Sequence, residues 1–212
     1  MAQIFPRWTN HVPIALAAGA PLGLVAVVFV VWYWFSPKFT DVGYQPEQPV
    51  AFSHKLHAGD MGMDCRYCHN TVERASHAAV PPTATCMNCH ATVQPDSPRL
   101  APIRESAETG EPMEWVRVHM LPDYAYFDHS VHVAGGVGCV SCHGRIDQMP
   151  VVTQRQPLSM GWCLDCHRDP AQNLRPRSEV TNMAWDEPYD PQADPHRTRE
   201  VNPPLHCGGC HR

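Results

Sequence analysis

The sequence predicts a mostly α-helical chain with much coil: one N-terminal transmembrane helix, then a domain of short helices with no large apolar core of its own. Three observations carry that prediction. An uncharged apolar stretch of 22 residues runs from Ile14 to Phe35. Proline accounts for 22 of 212 residues, about twice the usual ~5%, so long helices and wide sheets are not expected beyond that stretch. Cys and His are in excess, 10 and 14 residues, and all ten Cys fall in five copies of one pentapeptide, Cys-x-x-Cys-His.

The apolar stretch comes first. At 1.5 Å rise its residues span about 33 Å, enough for the ~30 Å hydrocarbon core of a bilayer. Trp32, Tyr33, Trp34 and Phe35 form an aromatic belt at its end. Pro21, Gly19 and Gly23 are expected to kink it, which membrane helices tolerate. A cleaved signal peptide has a shorter apolar region that ends in small residues. This run is longer and ends in bulky aromatics, so residues 1–36 are read as an uncleaved single-pass anchor. Cys-x-x-Cys-His is the pattern of a c-type haem attachment site, and covalent haem attachment takes place outside the bacterial plasma membrane. The N-terminus is therefore expected to be cytoplasmic and residues 37–212 periplasmic or extracytoplasmic.

The five motifs begin at Cys65, Cys86, Cys139, Cys163 and Cys207 and close with Cys68, Cys89, Cys142, Cys166 and Cys210. Each is followed by its histidine: His69, His90, His143, His167 and His211. Cys-x-x-Cys-His reads as a c-type haem attachment site. A turn of helix puts Cys i and Cys i+3 on one side, where they reach the two vinyl groups of one porphyrin edge. The next residue swings its imidazole under the ring as proximal iron ligand. Zinc knuckles use Cys-x-x-Cys pairs but do not require the following His, and five copies would leave an odd pair. Disulfides leave the His unexplained as well. Five iron-bearing haem c groups are expected. Residues 37–212 then offer about 35 residues per group, so five haems must form the centre and pack against one another.

A repeat organises this region. Phe52-Ser53-His54-Lys55-Leu56-His57 matches Phe127-Asp128-His129-Ser130-Val131-His132 as Phe-x-His-x-x-His, and each copy precedes two motifs. Dihaem units are expected at about 50–91 and 125–170. A fifth site lies in 171–212, and the Pro-rich segment 92–124 reads as a connector. Histidines at i and i+3 share one helix face, so each pair is expected to give distal ligands to its own unit. His54 is assigned to the iron of His69 and His57 to that of His90. His129 is assigned to that of His143 and His132 to that of His167. For the fifth iron His119 is preferred, then His77, with Met160 or Met149 also possible. His11, at the membrane edge, His206, abutting Cys207, and His196, in a polar loop, are read as non-ligands.

Phe-x-His-x-x-His followed by paired Cys-x-x-Cys-His resembles the class III multihaem cytochromes of c3/c7 type. The strings Val116–His132 and Pro157–Arg168 are more specific. They look like the family of pentahaem, membrane-anchored cytochrome subunits of alternative complex III, over the whole chain. The resemblance implies a c3/c7-like domain packed around five haems, and a role relaying electrons from quinol oxidation within a membrane quinol:acceptor oxidoreductase. Implied partners are membrane lipid, polytopic quinol-binding subunits, a large protein of iron–sulfur/molybdopterin-like type, and a monohaem cytochrome c subunit. A related menaquinone reductase complex has a similar component with six haems, so five motifs favour the first assignment.

Composition excludes other classes. Charged residues are only 17% and no Lys/Arg run is visible, so no nucleic acid is expected as partner. The runner-up is a stand-alone anchored quinol dehydrogenase. A third reading is a multihaem enzyme of nitrite or hydroxylamine chemistry. Such an enzyme needs an open axial position, and none of the five motifs is altered. The chain is therefore expected to transfer electrons and not to be an enzyme on its own.

Overall fold

A computed structural model describes residues 4–192, 194 and 200–211. Helix α1 (Val12–Trp34) follows a 3-10 turn at Arg7–His11 and begins two residues before the predicted stretch. Its 23 residues span about 34 Å. None of its side chains is buried against the rest of the chain, and the run Arg7–Trp34 is long and apolar enough to cross a membrane. The helix continues through Pro21. A short helix α2 (Pro37–Thr40) turns the chain at its exit. The following strap is tied to the soluble part by Gly43 N–H donating to the Gln154 carbonyl (2.8 Å) and Gln154 N–H to that of Tyr44 (3.0 Å).

The rest is short helices in coil: α3 (Cys65–Cys68), α4 (Thr83–His90), α5 (Ala101–Thr109), α6 (His129–Ala134), α7 (Cys139–His143) and α8 (Met160–Arg168). No strand occurs among the described residues; two isolated bridges pair Ala125 with His211 and Val137 with Leu174. Side-chain caps start three of the helices that carry motif or repeat residues, α3, α6 and α8. Asp64 accepts from Arg66 N–H, Asp128 from Ser130 N–H and Ser159 from Trp162 N–H, each satisfying an orphan donor of a first turn.

The segment 92–124 is more than a connector. It holds α5, whose Ile103 and Ser106 are buried. Thr83 and Ser106 hydroxyls meet at 2.7 Å between α4 and α5. The helix stops at Gly110, in the left-handed region at φ 78°, where glycine carries no Cβ penalty. The prolines lie at its first turn and outside it, where they do not interrupt hydrogen bonding.

Buried apolar residues among those described are few: Val50, Ile103, Val118, Met149, Leu174, Val180 and Met183. The two repeats interlock. His129 N–H and Ser130 N–H donate to the carbonyls of Ser76 and Ala75, and Lys55 N–H to that of Met149. Gly59 lies so close to Asp147 that a Cβ there would overlap the Asp147 carbonyl oxygen.

Candidate metal centres

Each Cys-x-x-Cys-His sits on a single turn. Four are α-helical; the last is the 3-10 turn Cys207–Gly209. His69 N–H donates to the Cys65 carbonyl (2.8 Å) and His211 N–H to that of Cys207 (2.9 Å). This winding directs both thiols of a motif to one side, with the imidazole one residue further round. All ten thiols are unpaired.

The imidazoles are held by backbone. Nδ1 of His69, His90, His167 and His211 lies 2.8, 3.1, 2.9 and 3.0 Å from the carbonyls of Ala79, Val93, Pro204 and Tyr124. Among the repeat histidines, Nδ1 of His57, His129 and His132 lies 2.9, 2.7 and 2.7 Å from the carbonyls of Ser53, Ser76 and Asp128. A carbonyl only accepts, so Nδ1 donates in all seven and the Nε2 lone pair is left for a metal.

The repeat histidines face motif histidines. Ring centroids are 6.4 Å apart for His54–His69, 6.3 Å for His57–His90, 6.5 Å for His129–His143 and 6.2 Å for His132–His167. The ring planes meet at 3°, 65°, 12° and 36°. With metal–nitrogen bonds of about 2 Å and about 1.1 Å from nitrogen to ring centre, two imidazoles trans across one ion stand about 6.3 Å apart. The four spacings fit a metal held between each pair.

Phe52 and Phe127 are the residues whose role the sequence reading did not identify. Phe127 meets His129 edge-on at 4.7 Å and stacks on His132 at 4.5 Å. Phe52 does the same to His54 at 4.9 Å and His57 at 4.4 Å. The signal was present, since Phe opens both copies of the repeat. The two turns differ in hydrogen bonding, a π-helical turn at Lys55–Asp60 against the α-helix α6. The ring geometry is nonetheless reproduced.

The fifth site departs from expectation. His119 stands 4.5 Å from His143 at 77°, too close for a metal between them, and its Nε2 is buried without a partner. His211 packs against Tyr124 at 5.8 Å. Among the described residues no second histidine ring stands across from it at the spacing of the other four pairs. Val116, Arg117 and Met120 are exposed while Val118 is buried and His119 half-buried, so the chain turns these two residues inward and sets the His119 ring beside the third motif. His77 is exposed and hydrogen-bonded to Ser76. Met160 is exposed, and Met149 is buried near Gly144, beside the third motif. His196 lies outside the described residues.

Burial sets the electrostatics. Desolvation lowers His143 to about 3, with His119, His129, His69 and His54 adding to it. Desolvation, then His69, His57 and His119, lowers His54 to about 4. His119 and His132 are also lowered, mainly by burial. The rings are thereby kept neutral, the form that ligates metal. Burial likewise pushes the thiols of Cys139 and Cys142 up to about 11 and about 12. His54 Nδ1 and His143 Nδ1 are buried without partners. No group of three or more His, Cys, Asp or Glu able to hold a bare metal ion occurs among the described residues, whereas a structural zinc takes four. The donor set suits a group that brings its own equatorial ligands.

Two comparisons bear on this arrangement. A family model described as "Cytochrome c7 and related cytochrome c" matches residues 50–108 and 125–212. A protein named "Menaquinone reductase, multiheme cytochrome c subunit", from Nitratidesulfovibrio vulgaris, is 37% identical over 131 residues, 61% of this chain and 60% of that protein. The chain thus aligns with less than two thirds of its relative's length.

Proposed function

Since the chain belongs to the family of cytochrome c7 and related cytochromes c, we propose that it binds five haem c groups and serves as the electron-relay subunit of a membrane quinol:acceptor oxidoreductase of alternative complex III type. The observation that carries the reading is the set of four imidazole pairs at 6.2–6.5 Å, each joining a motif histidine to a repeat histidine. Bound haem iron supplies reversible one-electron transfer, tuned by its axial ligands and by burial.

The ten cysteines hold the groups as thioethers. A thioether is uncharged, so the burial that disfavours a thiolate at Cys142 does not oppose attachment. His69, His90, His143, His167 and His211 are the proximal ligands. His54, His57, His129 and His132 are the distal ligands of the first four, two histidines closing each site against substrate. The neutral rings direct Nε2 to the metal, and Phe52 and Phe127 fix their orientation.

The apolar helix α1 suits membrane anchoring. We place its N-terminus in the bacterial cytoplasm and the domain from residue 37 onward in the periplasm, where haem is attached. Residues 1–36 then form the anchor, 50–91 and 125–170 the two dihaem units, and 171–212 the last site. The partners in this reading are polytopic quinol-binding subunits, a protein of iron–sulfur/molybdopterin-like type, and a monohaem cytochrome c subunit.

The relative's name favours one second reading, a menaquinone reductase subunit, in which the same sites pass electrons toward quinone. A pyridine haemochrome assay tests the cofactor count, with five haems per chain expected and three or fewer counting against it. Replacing His129 by Ala should turn one haem high-spin and leave the others unchanged; no change would refute that pairing. Haem reduction by a quinol in the purified complex, against haem oxidation by a quinone, separates the two directions.

A further inference from the structure

Resting on the five-haem reading, we propose that the attachment sites form one unbranched row whose order is not that of the sequence: 86–90, 65–69, 139–143, 163–167, 207–211. Four junctions define it.

The second and first motifs touch through their middle residues: Asn88 Nδ2 donates to the Tyr67 hydroxyl at 3.2 Å. His54 and His57, three residues apart, face His69 and His90 respectively.

The first and third motifs are clamped by one dipeptide. The Val180 carbonyl accepts from Cys139 N–H at 2.9 Å. Thr181 Oγ1 donates to Asp64 at 2.9 Å, and Asp64 caps the Cys65 turn. Across the same junction, the Ser76 carbonyl holds Nδ1 of His129, the ring facing His143. The third and fourth sites share helix α6, which presents His129 to His143 and His132 to His167.

The fourth and fifth sites join where the Pro204 carbonyl, three residues before Cys207, accepts from His167 Nδ1 at 2.9 Å.

Exposure agrees with the order. Of the ten cysteines only Cys89 and Cys207 are exposed, one in each end motif. Toward the middle of the row Nδ1 of His143, and of His54 opposite the neighbouring first motif, is buried and unpartnered. The 86–90 and 207–211 motifs are thus the two ports. An electron entering at one leaves at the other through all five groups, and the first motif in sequence is an internal junction.

Iron anomalous scattering from crystals of the purified holoprotein tests this without reference to activity. The four shortest iron–iron separations are expected between the irons of His90 and His69, His69 and His143, His143 and His167, and His167 and His211. Five irons with the His90 iron nearest to that of His143, His167 or His211, or with the His211 iron nearest to any but that of His167, would overturn the row and leave the haem reading standing. Fewer than five irons at the motifs would overturn the haem reading and the row with it.

Discussion

Phe127 shows how much one side chain organises here. Its ring fixes the orientation of two imidazoles at once, edge-on to His129 and stacked on His132. Aromatic pairs contribute about 0.5–1.5 kcal/mol each beyond area burial. Replacing Phe127 by Ala should therefore lower holoprotein stability by about 2 kcal/mol, read from thermal unfolding followed by haem absorbance, and Phe127→Leu should fall between. An unchanged melt would show that the ring only fills space. Asp64 is the second such residue. It caps the Cys65 turn, accepts from the Arg66 guanidinium and receives Thr181. The Arg66 hydrogen bond holds its carboxyl at about 2, below the ordinary 3.8. A depressed folded value means the contribution is present above about pH 4 and is lost as pH falls through about 2. The melting temperature of Asp64→Asn should lie below that of the native protein near about pH 5, and the gap should close toward about pH 2. A gap independent of pH would put the role in hydrogen bonding alone.

Elements of four to nine residues do not stand on their own propensity, because a helix this short cannot offset its nucleation cost. They are held by caps and by backbone contacts with distant segments. The turn at Lys55–Asp60 is the clearest case, since it meets the 3-10 turn Ile146–Gln148 with Gly59 against the Asp147 backbone. Both sides of that contact are backbone and neither can swing aside. Gly59→Ala should cost about 1–3 kcal/mol by overpacking and perturb the optical spectrum of the haems proposed opposite His54 and His57. If the variant melts with the native protein, the two turns do not meet as closely in solution. Helix α5 makes the same point about context. Its segment reads as Pro-rich connector, but its prolines fall at the first turn or outside the helix, and its buried face packs on α4.

For the whole molecule, the small apolar core and the inward-facing imidazole pairs belong together: the proposed haems supply the packing that the polypeptide lacks. Helix α1 contains no ionisable residue from Val12 to Trp34 other than Tyr33 in its last turn, and intramembrane functional sites commonly announce themselves by acidic, basic or histidine side chains. A quinol head group has nothing on this helix to release protons to. Purified by itself in detergent, the protein should accept electrons from dithionite and turn over negligibly with a quinol analogue. Rapid, inhibitor-sensitive reduction of its haems by quinol would favour a stand-alone dehydrogenase.

By itself the sequence determined the elements whose chemistry is local. The apolar run of α1 and the five Cys-x-x-Cys-His turns are legible because spacing along one turn of helix fixes which side chains meet. The repeat indicated which histidines to set opposite which motifs, since two copies of one short pattern carry the same face geometry. Tertiary structure alone decided what depends on distant segments. His119 lies beside His143 where Val118 and His119 turn inward from an otherwise exposed segment, and no local spacing encodes that. The succession of sites follows from contacts between residues 21 to 117 positions apart, from Asn88 with Tyr67 to Thr181 with Asp64. Chain order fixes neighbours only within a turn, whereas the path an electron takes depends on distance in space.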